Sequence, residues 1–507
     1  VKGNALNLSS IIDRGALNFA EKTALIQNKN RYTYGCLKSA TDRIAFYLSE
    51  QGIRRGDRVA IYMPNCPEWV AAYYGIIRLG AVAVCISAAY KQKEVAHLLN
   101  DSLVSLVITG EELLPQVPKR DAVSTVKDVV VWENDRVIAS IFDIPPDGHK
   151  PFLPVDCNLN DECAILFTGG TTGIPKGAML THRNILYSAQ NVCYHERAVP
   201  DDVALCFLPL NHVFGGVHIM NSTFYGCGTL VLHKNFDMDQ LLASVQKEKI
   251  SRFYSVPTAF IRLLNTAESR KYFKSVNYCF SAATSMASEI VRQWHEKFNL
   301  TIHEAYGMTE TSSLVTFNHR YHHKIGSVGT PAGIVEIKIV DKNDNELPCG
   351  ESGEIVIRGP NIMKGYFNKA EETDKVLRNG WLHSGDVGRL DEEGYLFIVD
   401  RIKDLIISGG LNVYPTEVEE ILYTHEAVEE CAVVGIPHTE YGEAVSAFVK
   451  RKQDLDCSET DLIDYCKNRI ASYKAPKTIL FVEQLPKSTA GKILKREIRK
   501  SFVKEMI

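Results

Sequence analysis

The sequence predicts an α/β protein: a large N-terminal domain of mixed, mainly parallel sheets flanked by helices, a β-rich part attached to it, and a small α+β C-terminal domain. Three observations predict this. Apolar runs of strand length alternate with helical stretches up to about residue 325, and such alternation implies parallel sheet with crossovers. From there Gly, Asp and Pro turns separate short alternating runs, the mark of a β-rich unit. Past a charged run at 400–404, about a hundred residues carry a strand–helix alternation of their own, enough for a small second domain. At 507 residues the chain exceeds what one ordinary core accommodates. The expected boundaries are 1–402 and 403–507, with the β-rich part at about 325–400.

The elements follow in order. The first clear amphipathic helix covers 36–50, and Gly52 closes it as a C-terminal glycine does. A strand at 59–63, a helix at 67–79, a strand at 81–86, a helix at 93–101 and a strand at 103–109 come next. The most apolar long window, 69–90, is interrupted by Arg78 and Gly80, so it reads as a buried helix and strand rather than a membrane span. After Thr181 the alternation resumes with a helix at 183–192, a strand at 204–208 and a helix at 238–247. Residues 335–340 and 353–358 are strands of the β-rich part. The last hundred residues contribute strands at 432–435 and 444–450 and a helix at 459–470. There is no internal repeat and no low-complexity tract.

Composition narrows the function classes. A hydrophobic share of 45% and a charged share of 23% are those of a globular protein. A net charge of -4 gives no basic surplus, which argues against nucleic acid as the main partner. Thirteen cysteines, odd in number and without a Cys-x-x-Cys pair, fit reduced thiols in a cytoplasmic protein better than a disulfide framework or a zinc ribbon. The start, Val1-Lys2-Gly3-Asn4, shows no signal-peptide pattern. His319, His322 and His323 lack the spacing of a metal helix and read as a polar loop.

The strongest local signal is Phe167-Thr168-Gly169-Gly170-Thr171-Thr172-Gly173-Ile174-Pro175-Lys176-Gly177, directly after the apolar run 164–167. Its glycines let backbone N–H groups turn inward beside hydroxyls, a concave nest of donors that suits phosphate oxygens, and Lys176 adds a positive charge. It is not a P-loop: Pro175 precedes the lysine and Gly177 follows it, so no hydroxyl stands there to hold magnesium.

This loop resembles the signature of the superfamily of acyl- and aryl-CoA ligases, peptide-synthetase adenylation domains and luciferases. Five further segments agree in the family's order: 208–212, Ala305-Tyr306-Gly307-Met308-Thr309-Glu310-Thr311, Trp381-Leu382-His383-Ser384-Gly385-Asp386, 400–410, and 485–492 around Lys492. One departure is Gly169, where many members carry serine.

The resemblance implies ATP, Mg²⁺ and coenzyme A as reactants and a place for each residue. Thr168 to Lys176 would cover the terminal phosphates. Tyr306 would lie against adenine, helped by the turn Ser281-Ala282-Ala283. Thr309 would touch the α-phosphate and Glu310 would hold Mg²⁺. Asp386 and Arg401 would bind the ribose hydroxyls, as a carboxylate accepts from two vicinal hydroxyls. Lys492 is the expected catalytic lysine and His212 the gate between acyl pocket and thiol tunnel. Lys403 is the expected hinge of a mobile C-terminal domain, and Gly409 and Gly410 would line the CoA tunnel after it rotates. The implied activity is an AMP-forming acyl-CoA ligase.

Acyl-pocket candidates are Val213, Phe214, Gly215, Gly307 and Met308, with Ser281 and Ala283. All are small, apolar or uncharged, which disfavours an amino acid and leaves fatty and aromatic acids, with a lean to a fatty acid. Gly215 and Gly216 are expected to admit a chain, whereas Phe214 could stack on a ring. The main alternative is an enzyme of the same fold that loads an acyl carrier protein. Both a monomer and a homodimer are compatible with this reading.

Overall fold

The computed structural model describes residues 7–133, 142, 151–168, 175–439, 441–453, 455–488 and 491–505. Two seven-stranded sheets form the large N-terminal part. One runs Gly365–Tyr366, Lys176–Thr181, Glu162–Thr168, Val82–Cys85, Arg58–Tyr62, Leu106–Thr109, Asp128–Val131. It is parallel from Glu162–Thr168 onward and antiparallel at the other edge. The second runs Ile302–Glu304, Tyr278–Ser281, Arg252–Ser255, Val203–Cys206, Thr229–Leu232, Thr23–Gln27, Asn30–Thr33, parallel but for the last pair.

The first sheet shows why its strands read as unbroken apolar runs. Val59, Ile61, Ala83, Cys85, Ala164 and Leu166 enter the main core, while Ala60, Tyr62, Val82, Val84 and Ile165 enter a second core on the opposite face. A period of two with both faces covered leaves no polar position in the strand. Helices Tyr34–Glu50 and Pro67–Arg78 cover the main-core face and pack on each other. Local chemistry sets their starts: the Thr33 hydroxyl accepts from the Cys36 N–H at 3.1 Å, and Pro67 occupies the first turn of the second helix. No helix among the described residues is long and apolar enough to cross a membrane.

The β-rich part is an antiparallel sheet of Glu336–Val340, Gly353–Arg358, Trp381–Leu390, Leu377–Arg378 and Leu396–Arg401. Beyond it, Leu411–Val413, Ile406–Ser408, Gly442–Arg451, Val428–His438 and Thr478–Phe481 form the C-terminal sheet. Val433 and Val445 face one small core and Val434 and Phe448 the other, so this unit carries cores of its own. The charged joint is better anchored than its composition suggests. Asp400 is buried and accepts from the Thr416 N–H at 3.0 Å and its hydroxyl at 3.2 Å. The basic run after Lys487 becomes helical only at Lys495–Glu505, because Lys487 and Ile493 form an isolated β-bridge first.

Where the C-terminal unit meets the large one, Glu304 ends its strand buried, with one carboxylate oxygen lacking a hydrogen-bond partner. Burial, and then the nearby Glu420, raise its pKa from 4.5 to about 8. The folded chain therefore holds a proton that the unfolded chain releases above about pH 4.5, and stability falls as pH rises through that window up to about 8. Glu304→Gln, which keeps the neutral shape, should lose less thermal stability than the parent between about pH 6 and pH 9. The difference is on the order of a few kcal/mol. Parallel melting curves at the two pH values check this; identical pH slopes would contradict it.

Candidate active site

Thr168 and Lys176 pair antiparallel, so the two ends of the Gly- and Thr-rich stretch lie side by side. The candidates Gly169, Gly170, Thr171, Thr172 and Gly173 lie outside the described residues. Lys176 is half-buried, pairs with Glu372 and sits 5.2 Å above the Tyr366 ring. Hydrogen bonds from Lys176 and Lys375 hold the Glu372 carboxyl down at about 2.

Across from it, residues 305–313 turn sharply. A β-carbon on Gly307 would stand 1.3 Å from the Ser313 carbonyl oxygen, so only glycine closes this turn. The closure is held by Val315 N–H on the Tyr306 carbonyl (2.8 Å) and Ser313 N–H on that of Met308 (3.2 Å). Thr309 is buried and Glu310 half-buried in a single turn, Thr309–Thr311. Glu310 accepts from the Tyr366 hydroxyl at 2.6 Å through one oxygen. Tyr306 is buried and its hydroxyl donates to Asp386 at 2.7 Å. Burial and the adjoining carboxylate keep that phenol protonated.

Asp386 and Arg401 face each other across paired strands, Trp381–Leu390 and Leu396–Arg401, and their side chains meet at 3.2 Å. Asp386 is thus a buried strand residue, which excludes a simple turn aspartate. Nearby, Ser281 buries a hydroxyl without a partner, and Ala283 takes φ +76. An orphan donor beside a strained residue fits a ligand-binding turn.

Lys492 reaches this space from the far end of the chain. Its loop presses on the large part: a β-carbon on Gly491, φ +80, would come 2.8 Å from Val256. Burial, then the field of Arg401, lowers the Lys492 ammonium to about 7, with Asp386 opposing. Burial and then Lys492 lower His212 to about 4. His212 is therefore neutral near pH 7. Its Nδ1 accepts from the Phe214 N–H at 3.2 Å, which leaves the proton on Nε2. Lys492 thus lies within electrostatic reach of His212, Asp386 and Arg401, all distant from it in sequence.

Val213 and Phe214 are buried at the start of a π-helical stretch, Phe214–Asn221. Added β-carbons at Gly215 and Gly216 would each meet a backbone carbonyl at 2.3 Å, of Pro209 and Leu210. These glycines let the helix press on the preceding turn; the freed space does not open a channel on that side. Gly409 and Gly410, at φ +58 and +79, form the exposed two-residue turn between Ile406–Ser408 and Leu411–Val413. Lys403 lies exposed in the turn Ile402–Asp404. Among the described residues no cluster of three or more metal-ligating side chains occurs, and His323 instead faces the Ile302 carbonyl at 2.9 Å.

Sequence reasoning missed Tyr366, Glu372, His218 and Glu196. The first two meet Glu310 and Lys176 across 56 and 196 positions. His218 and Glu196 are buried together, 2.9 Å apart. They lie in different helices, 22 positions apart, and no spacing announces the pair.

Residues 12–367 match the AMP-binding enzyme family and residues 417–492 its C-terminal domain. The chain belongs to the AMP-binding enzyme family. Among relatives of this AMP-binding enzyme, the long-chain-fatty-acid–CoA ligase of Bacillus subtilis (strain 168) is 34% identical, with 97% of this chain and 94% of that one covered. Feruloyl-CoA synthase of an Amycolatopsis species is 35% identical, with 95% and 96% covered. The anthranilate CoA ligase AuaEII, solved with anthranoyl-AMP, superposes with a TM-score of 0.92 at 27% identity over 98% of both chains.

Proposed function

We propose the following residue roles and acid class for this AMP-binding enzyme. The chain is an AMP-forming acyl-CoA ligase: a carboxylic acid and ATP give acyl-AMP and pyrophosphate, and CoA then displaces AMP. The observation that carries the role assignment is that Lys492 comes within reach of His212 and of the Asp386–Arg401 pair.

Attack of the carboxylate on the α-phosphorus crowds negative charge on one centre. Lys492, kept part-buried, supplies an ammonium there, and a preorganised donor of this kind contributes roughly 3–4 kcal/mol. Asp386 receives the ribose hydroxyls while Tyr306, pinned by the same carboxylate, offers its ring to adenine. Thr309 donates to the α-phosphate, and Thr168 to Lys176 enclose the terminal phosphates. Glu310 would hold Mg²⁺ through the oxygen that Tyr366 leaves free, since this ion takes oxygen ligands and needs few from the protein beside a substrate's phosphates. The ion would neutralise phosphate charge. His212, neutral and donating from Nε2, stands at the acyl carbon. Lys403 is the pivot that carries Lys492 away, and the turn Gly409–Gly410 then lines the path of the thiol. Unpaired thiols, thirteen in number, suit a cytoplasmic enzyme.

The acid is read as short or aromatic. The Phe214 ring lies edge-on to His218, centroids 5.4 Å apart. His218 pairs with Glu196, which also accepts from the Tyr254 hydroxyl, and its other nitrogen faces the Ser313 hydroxyl at 3.3 Å. Ser313 abuts Gly307, so a buried polar network backs the wall between Phe214 and Gly307. A long saturated chain driven past Phe214 would break these bonds, at about 1–3 kcal/mol for each group left unpaired. A panel of benzoic, cinnamic, hexanoic, dodecanoic and palmitic acids, scored for ATP- and CoA-dependent thioester, tests the reading. Cinnamic, benzoic or hexanoic acid should give the highest kcat/KM; a maximum at palmitic acid would refute it.

A further inference from the structure

Helix Ser288–Phe298 of the large part begins at Ala287, which has no side-chain oxygen to receive the first free N–H groups. The cap comes from elsewhere. Glu420, on helix Pro415–Tyr423 of the C-terminal unit and 132 positions away, accepts from the Ser288 N–H through both oxygens, at 3.2 and 3.3 Å. A carboxylate at a helix N-terminus is also favoured by the helix dipole. Glu420 is flanked by Arg292 on the capped helix, Glu304 on the adjoining strand and Glu419 on its own helix. The same unit presents Lys492, whose loop packs on Val256.

We propose that Glu420 is a positioning residue for acyl-AMP formation: by capping a helix that cannot cap itself, it seats the C-terminal unit where Lys492 faces the nucleotide. The proposal rests on the two-arrangement reading above. Seating and capping are one contact, so the Ser288 N–H has this partner only while the unit is docked. Rotation about Lys403 leaves its N-terminus to water.

The two half-reactions separate this role from a merely structural one. The acid is benzoic or hexanoic, whichever the parent enzyme turns over faster. Pyrophosphate release reads the first step, and conversion of the synthetic adenylate by CoA reads the second. Glu420→Ala should slow the first roughly tenfold, within the range of one lost cap, and leave the second unchanged or faster. Glu420→Gln keeps the shape and one accepting oxygen, so it should shift the half-reaction ratio in the same direction as Glu420→Ala but by less. Equal losses in both steps for Glu420→Ala, or a ratio in Glu420→Gln further from the parent than in Glu420→Ala, would overturn the proposal. If Lys492→Ala slows only the first step while Glu420→Ala slows both, the latch alone fails. If Lys492→Ala also slows both, the two-arrangement reading fails with it.

Discussion

Lys492→Ala should lower the rate of acyl-AMP formation by about two to three orders of magnitude, the size expected for one preorganised donor, and largely spare attack of CoA on supplied acyl-AMP. The residue lies within the field of Arg401 and Asp386, and its loop is pressed on Val256, so its ammonium is held in one place. The pH dependence has a definite sign. With the ammonium at about 7 in the free enzyme, the cation is present below that value and lost above it. Hence kcat/KM for ATP, which reports the free enzyme, should fall as pH rises past about 7. Bound ATP adds negative charge and favours the cation, so kcat should hold to higher pH. Lys492→Arg, charged throughout, should lose the fall in kcat/KM even where its altered geometry lowers the rate. Equal damage to both half-reactions in Lys492→Ala would contradict the assignment.

Gly307→Ala should be more disruptive still, because it disturbs at once the whole turn proposed to hold the nucleotide. The new carbon would stand 1.3 Å from the Ser313 carbonyl oxygen, closer than any non-bonded contact, so residues 306–313 must rebuild. Tyr306, Thr309 and Glu310 ride on that turn and move together. We expect ATP binding by calorimetry to weaken beyond about a hundredfold and both half-reactions to fail, since both need the bound adenylate. Gly350→Ala is the control: its φ is +87 but nothing lies within 4 Å of the added carbon. It should cost about 1 kcal/mol of stability and no activity. A Gly307→Ala protein that binds ATP normally would show the turn to be pliable.

Much of the fold was legible because local chemistry and tertiary demand agree. Helix Met238–Lys247 begins where Asp237 accepts from the Gln240 N–H at 2.8 Å, a start signal written in neighbouring residues. Strand Gly353–Arg358 lies where its alternation put it. Other ends moved: the predicted helix at 183–192 runs over His182–Glu196, and the one at 459–470 stops at Lys467. Ends depend on caps and on neighbours that periodicity does not see.

The site was legible as a roll of residues and not as an arrangement. Gly307 and the Asp386–Arg401 pair owe their form to local geometry and to one strand pairing, so motifs and spacing reach them. By itself the sequence determined the strand and helix periods, the density of Gly and Thr after strand Glu162–Thr168, and the place of Lys492 in the motif near the C-terminus. Only the tertiary structure decided that Lys492 lies beside His212 and Arg401, that Glu196 and His218 stand behind Phe214, and that Glu420 caps a helix begun at Ser288. The physical reason is common to all three. A buried charge or an unsatisfied N–H is costly alone and stable when paired, and its partner is chosen by how sheets and domains pack, at separations over which sequence carries no period.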